Sequence, residues 1–208
     1  MDAVHVVDHP LLARAVTVLR AATTDRAAFR QALEDATWAL AYEALRDIPV
    51  EDVEVETPLE TTSGTELARP VMVVAILRAG LGMVDAFLRL VPDASVAHIG
   101  MRRNEETLQP EGYYESLPTG VAESTVFVVD PMLATGGSAI AALRRLREAG
   151  ARDLRLVCLV AAPEGVEAVR AADHDVPIIA ESLDRQLDER GYIRPGLGDA
   201  GDRIFGTE

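Results

Sequence analysis

The fold of this chain is decided by residues 126–138, which read Val-Phe-Val-Val-Asp-Pro-Met-Leu-Ala-Thr-Gly-Gly-Ser. An apolar run typical of a buried strand stops at Asp130, passes through the Thr-Gly-Gly-Ser loop, and continues as a helical pattern from Ser138. Adjacent glycines let the backbone approach an anion, the hydroxyl of Thr135 adds a donor, and a helix amino terminus presents free N–H groups. The segment therefore predicts a phosphate cradle between a strand and a helix, with Asp130 placed to accept from sugar hydroxyls.

The same loop has a plainer interpretation as a strand-to-helix turn with a serine cap, which Thr-Gly-Gly-Ser alone does not exclude. It lacks the Gly-Lys-Ser/Thr of a P-loop and the Gly-x-Gly-x-x-Gly of a dinucleotide site. The longer pattern resembles the phosphoribosyl-diphosphate (PRPP) loop of the type I phosphoribosyltransferases. That family usually has two adjacent acids where this chain has Asp130 and Pro131, and proline at the second position resembles its uracil branch.

Further segments resemble the same branch. Residues 76–83 resemble its second phosphate-contacting loop, and residues 103–107 resemble its flexible flap. Residues 191–202, Gly-Tyr-Ile-Arg-Pro-Gly-Leu-Gly-Asp-Ala-Gly-Asp, are similar to its uracil-binding loop, with a matching tail at 205–207. Because residues 6–10 also fit, the resemblance covers the whole chain.

The resemblance implies transfer of the 5-phosphoribosyl group from PRPP to uracil, giving UMP and diphosphate, with Mg²⁺ as cofactor. Two alternatives stay open: a phosphoribosyltransferase for another nucleobase, and a PRPP- or UMP-sensing regulator that binds RNA. Twenty basic residues, all arginine, against 34 acidic residues give a net charge of −14, which counts against any nucleic-acid partner. The resemblance also implies a homodimer or higher homo-oligomer and leaves room for a nucleotide effector such as GTP.

The PRPP site implied by the resemblance draws on several loops. Backbone amides of residues 134–138 suit the 5-phosphate, and Asp130 suits the ribose hydroxyls. Arg78 and Arg103 suit the diphosphate, because a guanidinium fork matches phosphate oxygens and the chain has no lysine. The predicted PRPP contacts are Arg78, Arg103, Asp130, Pro131, Met132, Leu133, Ala134, Thr135, Gly136, Gly137, Ser138 and Asp199.

Uracil differs from cytosine in its C4 carbonyl and its N3–H, which fixed backbone amides and carbonyls can distinguish. The resemblance assigns uracil binding to Ile193, Gly198, Asp199 and Ala200. It implies catalytic roles for Arg103, on the leaving diphosphate, and for Asp199, near PRPP or the N1 proton, although Asp199 also fits a simple turn. Arg102 stands where many members have an uncharged residue, which leaves open which flap arginine does the work.

The metal and the compartment follow from general chemistry. Mg²⁺ prefers phosphate oxygens and water to a protein cage, so we expect PRPP to carry it and assign no direct protein ligand. The single cysteine, Cys158, sits in an apolar strand pattern and predicts a buried, inert thiol. No apolar run approaches 18 residues and residues 1–10 lack signal-peptide features, so we expect no membrane partner and a cytoplasmic location.

Alternating strand and helix patterns predict one α/β domain over residues 1–208, built on an open parallel sheet flanked by helices. Residues 1–67 should form an N-terminal helical segment and a β-hairpin arm, residues 68–182 the α/β core, and residues 183–208 the base-binding loop and tail. The core strands are expected at 71–77, 95–101, 126–129, 154–161 and 177–182.

Outside the core, helical spacing predicts helices at 11–20 and 24–45, the second capped by Thr24. Alternating apolar and acidic residues predict the hairpin arm at 53–67, with a turn at 63–64. The polar stretch 102–124 is expected to be a long loop or lid.

Overall fold

The central element is an eight-stranded sheet within residues 4–103 and 110–207, the residues that the computed structural model describes. Neighbouring strands are parallel, except for one edge strand that pairs in the antiparallel direction. In spatial order the strands are β1 (His5–Val6), β10 (Ile178–Leu183), β9 (Asp153–Ala161), β7 (Thr125–Val129), β4 (Val71–Leu77), β5 (Ser95–Arg103) and β6 (Pro110–Ser116), with β8 (Met132–Leu133) beside β9. The predicted open, mostly parallel sheet is confirmed.

Helices cover both faces of this sheet: α1 (Pro10–Arg20), α2 (Arg26–Ala44), α3 (Leu81–Leu90), α4 (Gly137–Glu148), α5 (Pro163–Ala172) and α6 (Ala200–Phe205). On β7, Phe127 and Val129 pack with α1, α2, α3 and α6, whereas Val126 and Val128 pack with α4 and α5. Since successive side chains point to opposite faces, a strand buried on both sides reads as a continuous apolar run. None of the helices in the described part of the chain combines the length and apolar character needed to cross a bilayer.

The hairpin arm consists of β2 (Val50–Glu56) and β3 (Thr61–Leu67), which pair antiparallel and stay largely exposed. The predicted turn at 63–64 is wrong, because those residues lie inside β3. The chain turns at 57–60, where the Thr57 hydroxyl accepts from the N–H groups of Leu59 (3.2 Å) and Glu60 (3.1 Å). A threonine side chain that bonds nearby amides makes a turn without glycine.

Two further boundaries differ from the sequence-based expectation. The cap of α2 is Asp25 and not Thr24, since its carboxylate accepts from the N–H of Ala28 at 2.9 Å. The long loop predicted at 102–124 is wrong for 110–116, which forms edge strand β6 against β5. An exposed polar edge strand carries no apolar run for sequence analysis to detect. Of the flap predicted at 103–107, residues 104–107 lie outside the described residues.

Candidate active site

Two loops that follow neighbouring strands meet at the carboxyl edge of the sheet. Arg78 follows β4 and Asp130 follows β7, and these strands pair in parallel. The first loop packs tightly against the end of the second strand, because a β-carbon added at Gly80 would lie 2.4 Å from the carbonyl oxygen of Val129. Both predicted phosphate loops therefore open into one crevice, the usual ligand position in open parallel sheets.

The loop between β7 and α4 encloses a concavity of about 80 Å³. Gly136 precedes α4 with φ of 81°, a left-handed conformation that side chains disfavour, and its carbonyl accepts from the N–H of Ile140 at 2.8 Å. The first N–H groups of α4 have no partner within the helix and carry its positive dipole end. The concavity is lined by Asp130, Met132, Leu133, Ala134, Thr135, Gly136, Gly137, Ser138, Ala139, Leu156 and Cys158. Such a set of amides and hydroxyls suits a phosphate group.

Asp130 is the acidic group of this cradle. Burial among the strand ends raises the pKa of its carboxyl to about 7; the N–H of Met132, 3.5 Å from Oδ1, partly opposes this, and the negative charge of Asp199 adds to it. A carboxylate withdrawn from water and weakly bonded favours any ligand that donates hydrogen bonds to it. Ribose hydroxyls are such donors.

Some predicted cradle residues support the loop from inside the sheet. The Pro131 carbonyl accepts from the N–H groups of Leu159 and Val160, both at 3.1 Å, and the Leu133 carbonyl accepts from Ala162 at 2.9 Å. The Leu133 side chain is buried in the core. These residues shape the cradle while their own carbonyls face the protein.

Cys158 lies at the floor of the concavity. It is buried, as predicted, and burial raises the pKa of its thiol far above the usual range. The thiol therefore remains protonated, which agrees with an inert packing role.

Arg78 is the exposed cation of the loop after β4. Its guanidinium lies 3.5 Å from a carboxylate oxygen of Asp202 and 5.9 Å from the centre of the Phe205 ring. The same Asp202 oxygen accepts from the Thr207 hydroxyl at 2.6 Å. An exposed pair at this distance is weak, so Arg78 is available to an incoming diphosphate. Arg103 ends β5, and its side chain lies outside the described residues.

The predicted base-binding residues extend from a short hairpin to the start of α6. The hairpin pairs β11 (Gln186–Leu187) with β12 (Ile193–Arg194). Ile193 is buried. Gly198 has φ of 79°, and Asp199 caps α6 by accepting from the N–H of Asp202 at 2.9 Å. Ala200 begins the helix.

The base-binding loop adjoins the cradle. A β-carbon on Gly191 would lie 3.7 Å from Thr135 Cγ2. The negative charge of Asp199 also contributes to the raised pKa of Asp130. The tertiary structure therefore brings together two segments more than 50 residues apart in sequence. Asp199 therefore has the local structural role that the sequence left open, as the cap of α6, and it also lies at the crevice.

Sequence analysis missed residues that hold the base-binding loop in place. Arg20, Asp184 and Arg203 bond to this loop, and Arg20 is 176 residues from the loop carbonyl it contacts. No motif or periodicity marks such a contact, because it depends on two distant elements meeting in space.

The donor set at the crevice fits a magnesium ion brought by a phosphate ligand. Among residues 4–103 and 110–207 no group of three or more His, Cys, Asp or Glu side chains is arranged to hold a metal. Asp130 and Asp199 supply carboxylates near enough for the charge of Asp199 to act on Asp130, and Mg²⁺ favours phosphate oxygens and water.

Comparison with known proteins identifies the relatives of this chain. The family described as uracil phosphoribosyltransferase matches residues 6–207. A uracil phosphoribosyltransferase of Salinibacter ruber is 57% identical over 207 residues, covering 100% of this chain and 99% of the relative. One from Streptococcus pneumoniae is 52% identical, with 100% of both chains covered.

Solved structures agree on the fold. A protein from Aquifex aeolicus superposes with a TM-score of 0.93 at 37% identity, covering 99% of both chains. A hypoxanthine-guanine phosphoribosyltransferase from Bacillus anthracis superposes with a TM-score of 0.52 at 14% identity, covering 76% of this chain and 80% of that one. The second likeness extends to the fold alone.

Proposed function

The chain belongs to the uracil phosphoribosyltransferase family, and we infer from this membership that it transfers the 5-phosphoribosyl group of PRPP to uracil, giving UMP and diphosphate. The observation in the structure that carries the proposal is the phosphate cradle at residues 130–138 beside the loop at 191–199. Neither another nucleobase nor RNA sensing is favoured by the relatives.

The cradle accounts for PRPP binding. The 5-phosphate accepts hydrogen bonds from the amides of residues 134–138 and from the Thr135 and Ser138 hydroxyls, at the positive end of α4. The ribose hydroxyls donate to Asp130, whose pKa is raised chiefly by burial. Binding therefore satisfies a group that folding alone leaves poorly solvated.

Departure of diphosphate leaves positive charge on the anomeric carbon, so the reaction depends on stabilising the leaving group. Arg78 and Arg103 are proposed to hold the diphosphate oxygens. A bound magnesium ion would supply further neutralisation of the diphosphate charge. Asp199, near the ribose, is proposed to stabilise the developing positive charge or to accept the N1 proton of uracil.

Uracil recognition is proposed to rest on backbone groups around Ile193 and residues 198–200. Gly198 and Ala200 have small side chains, so a flat base can approach the backbone closely. Fixed amides and carbonyls neither titrate nor rotate, which makes them suited to distinguish uracil from cytosine.

The direct test is an assay with radiolabelled bases. Purified protein should form UMP from uracil only when PRPP and Mg²⁺ are both present, and cytosine, orotate and hypoxanthine should react slower by about 10²-fold or more. Reactions that omit PRPP or Mg²⁺ are the controls. Preference for orotate or hypoxanthine over uracil would contradict the proposal.

The quaternary state, the effector and the compartment remain predictions. Exposed aromatic side chains of Trp38 and Tyr42, stacked 6.0 Å apart on α2, and the exposed β2–β3 arm support assembly into a homodimer or larger oligomer. A nucleotide effector such as GTP follows from the resemblance alone, and a cytoplasmic location remains the expectation of the sequence analysis. We treat residues 1–208 as one domain.

A further inference from the structure

A buried carboxylate, that of Asp184, contacts the base-binding loop, which here means residues 191–199. Asp184 follows β10 and is only 6% exposed. Its two oxygens accept from both terminal nitrogens of Arg20, at 2.7 and 2.6 Å, from the Ser182 hydroxyl at 2.8 Å and from the N–H of Gly196 at 2.8 Å. Burial opposes ionisation, but these donors outweigh it and hold the pKa of Asp184 below its usual value.

Arg20 continues this contact into the loop itself. It is the last residue of α1, and one of the nitrogens that binds Asp184 also donates to the Gly196 carbonyl at 3.0 Å. Both backbone groups of Gly196 are therefore bonded, the N–H to Asp184 and the carbonyl to Arg20. The peptide groups on either side of this residue cannot rotate without breaking a charged hydrogen bond.

A second arginine reaches back in the opposite direction. Arg203 lies on α6, just after the loop, and donates to the Leu197 carbonyl at 2.9 Å. It also donates to the Ala21 carbonyl at 2.8 Å and to the carbonyl of Leu19 at the end of α1. Its guanidinium stacks 4.3 Å from the centre of the Phe29 ring.

These contacts form one unit, the arginine clasp, made of Arg20, Asp184 and Arg203. Arg20 extends from α1 to the loop, and Arg203 extends from α6 to the end of α1. Together they bind two consecutive carbonyls of the loop, those of Gly196 and Leu197. The next residues along the chain are 198–200, to which base recognition is assigned.

We propose that Arg20 and Arg203 are positioning residues for the base-binding loop, so that α1 is a working part of the uracil site. The inference rests on the proposed function. A base read by backbone groups demands that those groups stay in fixed directions, and a loop that must be ordered on binding loses affinity. Neither arginine is among the predicted PRPP contacts, and Asp199 is the one residue of this loop that is also assigned to PRPP. The larger effect should therefore fall on uracil.

Lysine substitution separates loop positioning from charge. Arg20→Lys and Arg203→Lys keep the positive charge but replace a planar fork that serves several acceptors at once. We expect each variant to raise KM for uracil about tenfold or more, with clearly smaller changes in KM for PRPP and in kcat. Weaker discrimination against cytosine should accompany the rise.

The matched control is Arg147→Lys. Arg147 also pairs with a carboxylate, Asp173 at 2.8 Å, and donates to two backbone carbonyls, Ala151 at 3.1 Å and Arg152 at 2.8 Å, but it lies at the opposite edge of the sheet. Arg147→Lys should lower thermal stability by about as much as the two clasp variants do, and it should leave KM for uracil unchanged.

Amide hydrogen exchange provides a readout independent of substrate. Residues 191–199 should exchange faster in both clasp variants and at the wild-type rate in Arg147→Lys. If wild-type protein makes no UMP, the proposed function fails, and this exchange pattern still decides whether the clasp orders the loop.

Three results would overturn the inference: equal losses for uracil and PRPP, an unchanged KM for uracil in folded clasp variants, or unaltered exchange at residues 191–199. Failure of both lysine variants to fold would also overturn it, because the contacts would then serve the fold as a whole.

Discussion

Replacing Asp130 by asparagine should make the protein more stable and less able to bind PRPP. The carboxyl of Asp130 has its pKa raised from 3.8 to about 7, chiefly by burial. Below about pH 4 it is neutral in the folded and unfolded chain; between 4 and 7 the unfolded chain releases the proton and the folded chain keeps it. Stability therefore falls as the pH rises through this window and levels off above it.

The loss of folding stability caused by Asp130 can be calculated from its raised pKa. About three pKa units, each worth about 1.4 kcal/mol, give a cost of up to about 4 kcal/mol above pH 7. Asp130→Asn removes the ionisable group with little change of shape, so its free energy of unfolding should exceed that of wild type. This advantage should roughly double between pH 5.5 and pH 8, while affinity for PRPP should fall about tenfold or more, because a charged acceptor for the ribose hydroxyls is lost.

Urea denaturation at pH 5.5 and pH 8, in buffers free of phosphate, measures the stability change. Calorimetric titration with PRPP and Mg²⁺ measures the affinity. Asp93→Asn, an exposed carboxylate beyond the opposite edge of the sheet, is the control and should shift stability by less than about 0.5 kcal/mol at either pH. A destabilised Asp130→Asn at pH 8, or an advantage independent of pH, would refute the desolvation argument.

Two pairs of substitutions test the phosphate contacts. Gly136→Ala forces a side chain into φ of 81°, with the new carbon 3.1 Å from the Gly165 carbonyl, whereas Gly120→Ala imposes a similar φ of 92° with nothing within 4 Å. Gly120→Ala should lose about 1 kcal/mol of stability in urea denaturation and Gly136→Ala somewhat more, and only Gly136→Ala should weaken PRPP binding in calorimetry. Equal PRPP affinities in the two variants would count against the cradle. In the flap, Arg103→Ala should lower kcat/KM for PRPP by roughly 10²-fold and Arg102→Ala much less, as steady-state kinetics would show; a larger loss for Arg102→Ala would mean that the flap assignment is off by one position.

The buried core was predictable wherever a local pattern carries the signal. The strand expected at 71–77 is β4, and the helical pattern expected from Ser138 is α4, which begins one residue earlier, at Gly137. Both belong to the buried α/β core, where apolar runs and glycine loops are distinctive. Edge strand β6 was missed because exposed polar residues resemble a loop.

The candidate site also has a part that local sequence predicts and a part that it does not. The stretch 130–138 is contiguous and its geometry is local, since a strand end, two glycines and a helix start determine it. The arginine clasp joins Arg20 to Asp184, 164 residues apart, and no spacing rule relates them. Such contacts become visible only when the elements that carry them are packed together.

The sequence by itself determined the alternating strands and helices and the glycine loop between a strand and a helix, because backbone propensity and motif chemistry act over a few neighbouring residues. The assignment of residues 191–202 to the base rests on the family resemblance. Only the tertiary structure decided that the loop at 191–199 adjoins the cradle, that burial raises the pKa of Asp130, and that α1 is bonded to the loop before Gly198. These properties depend on which distant groups exclude water from a carboxyl or donate to a carbonyl, and packing alone sets those neighbours.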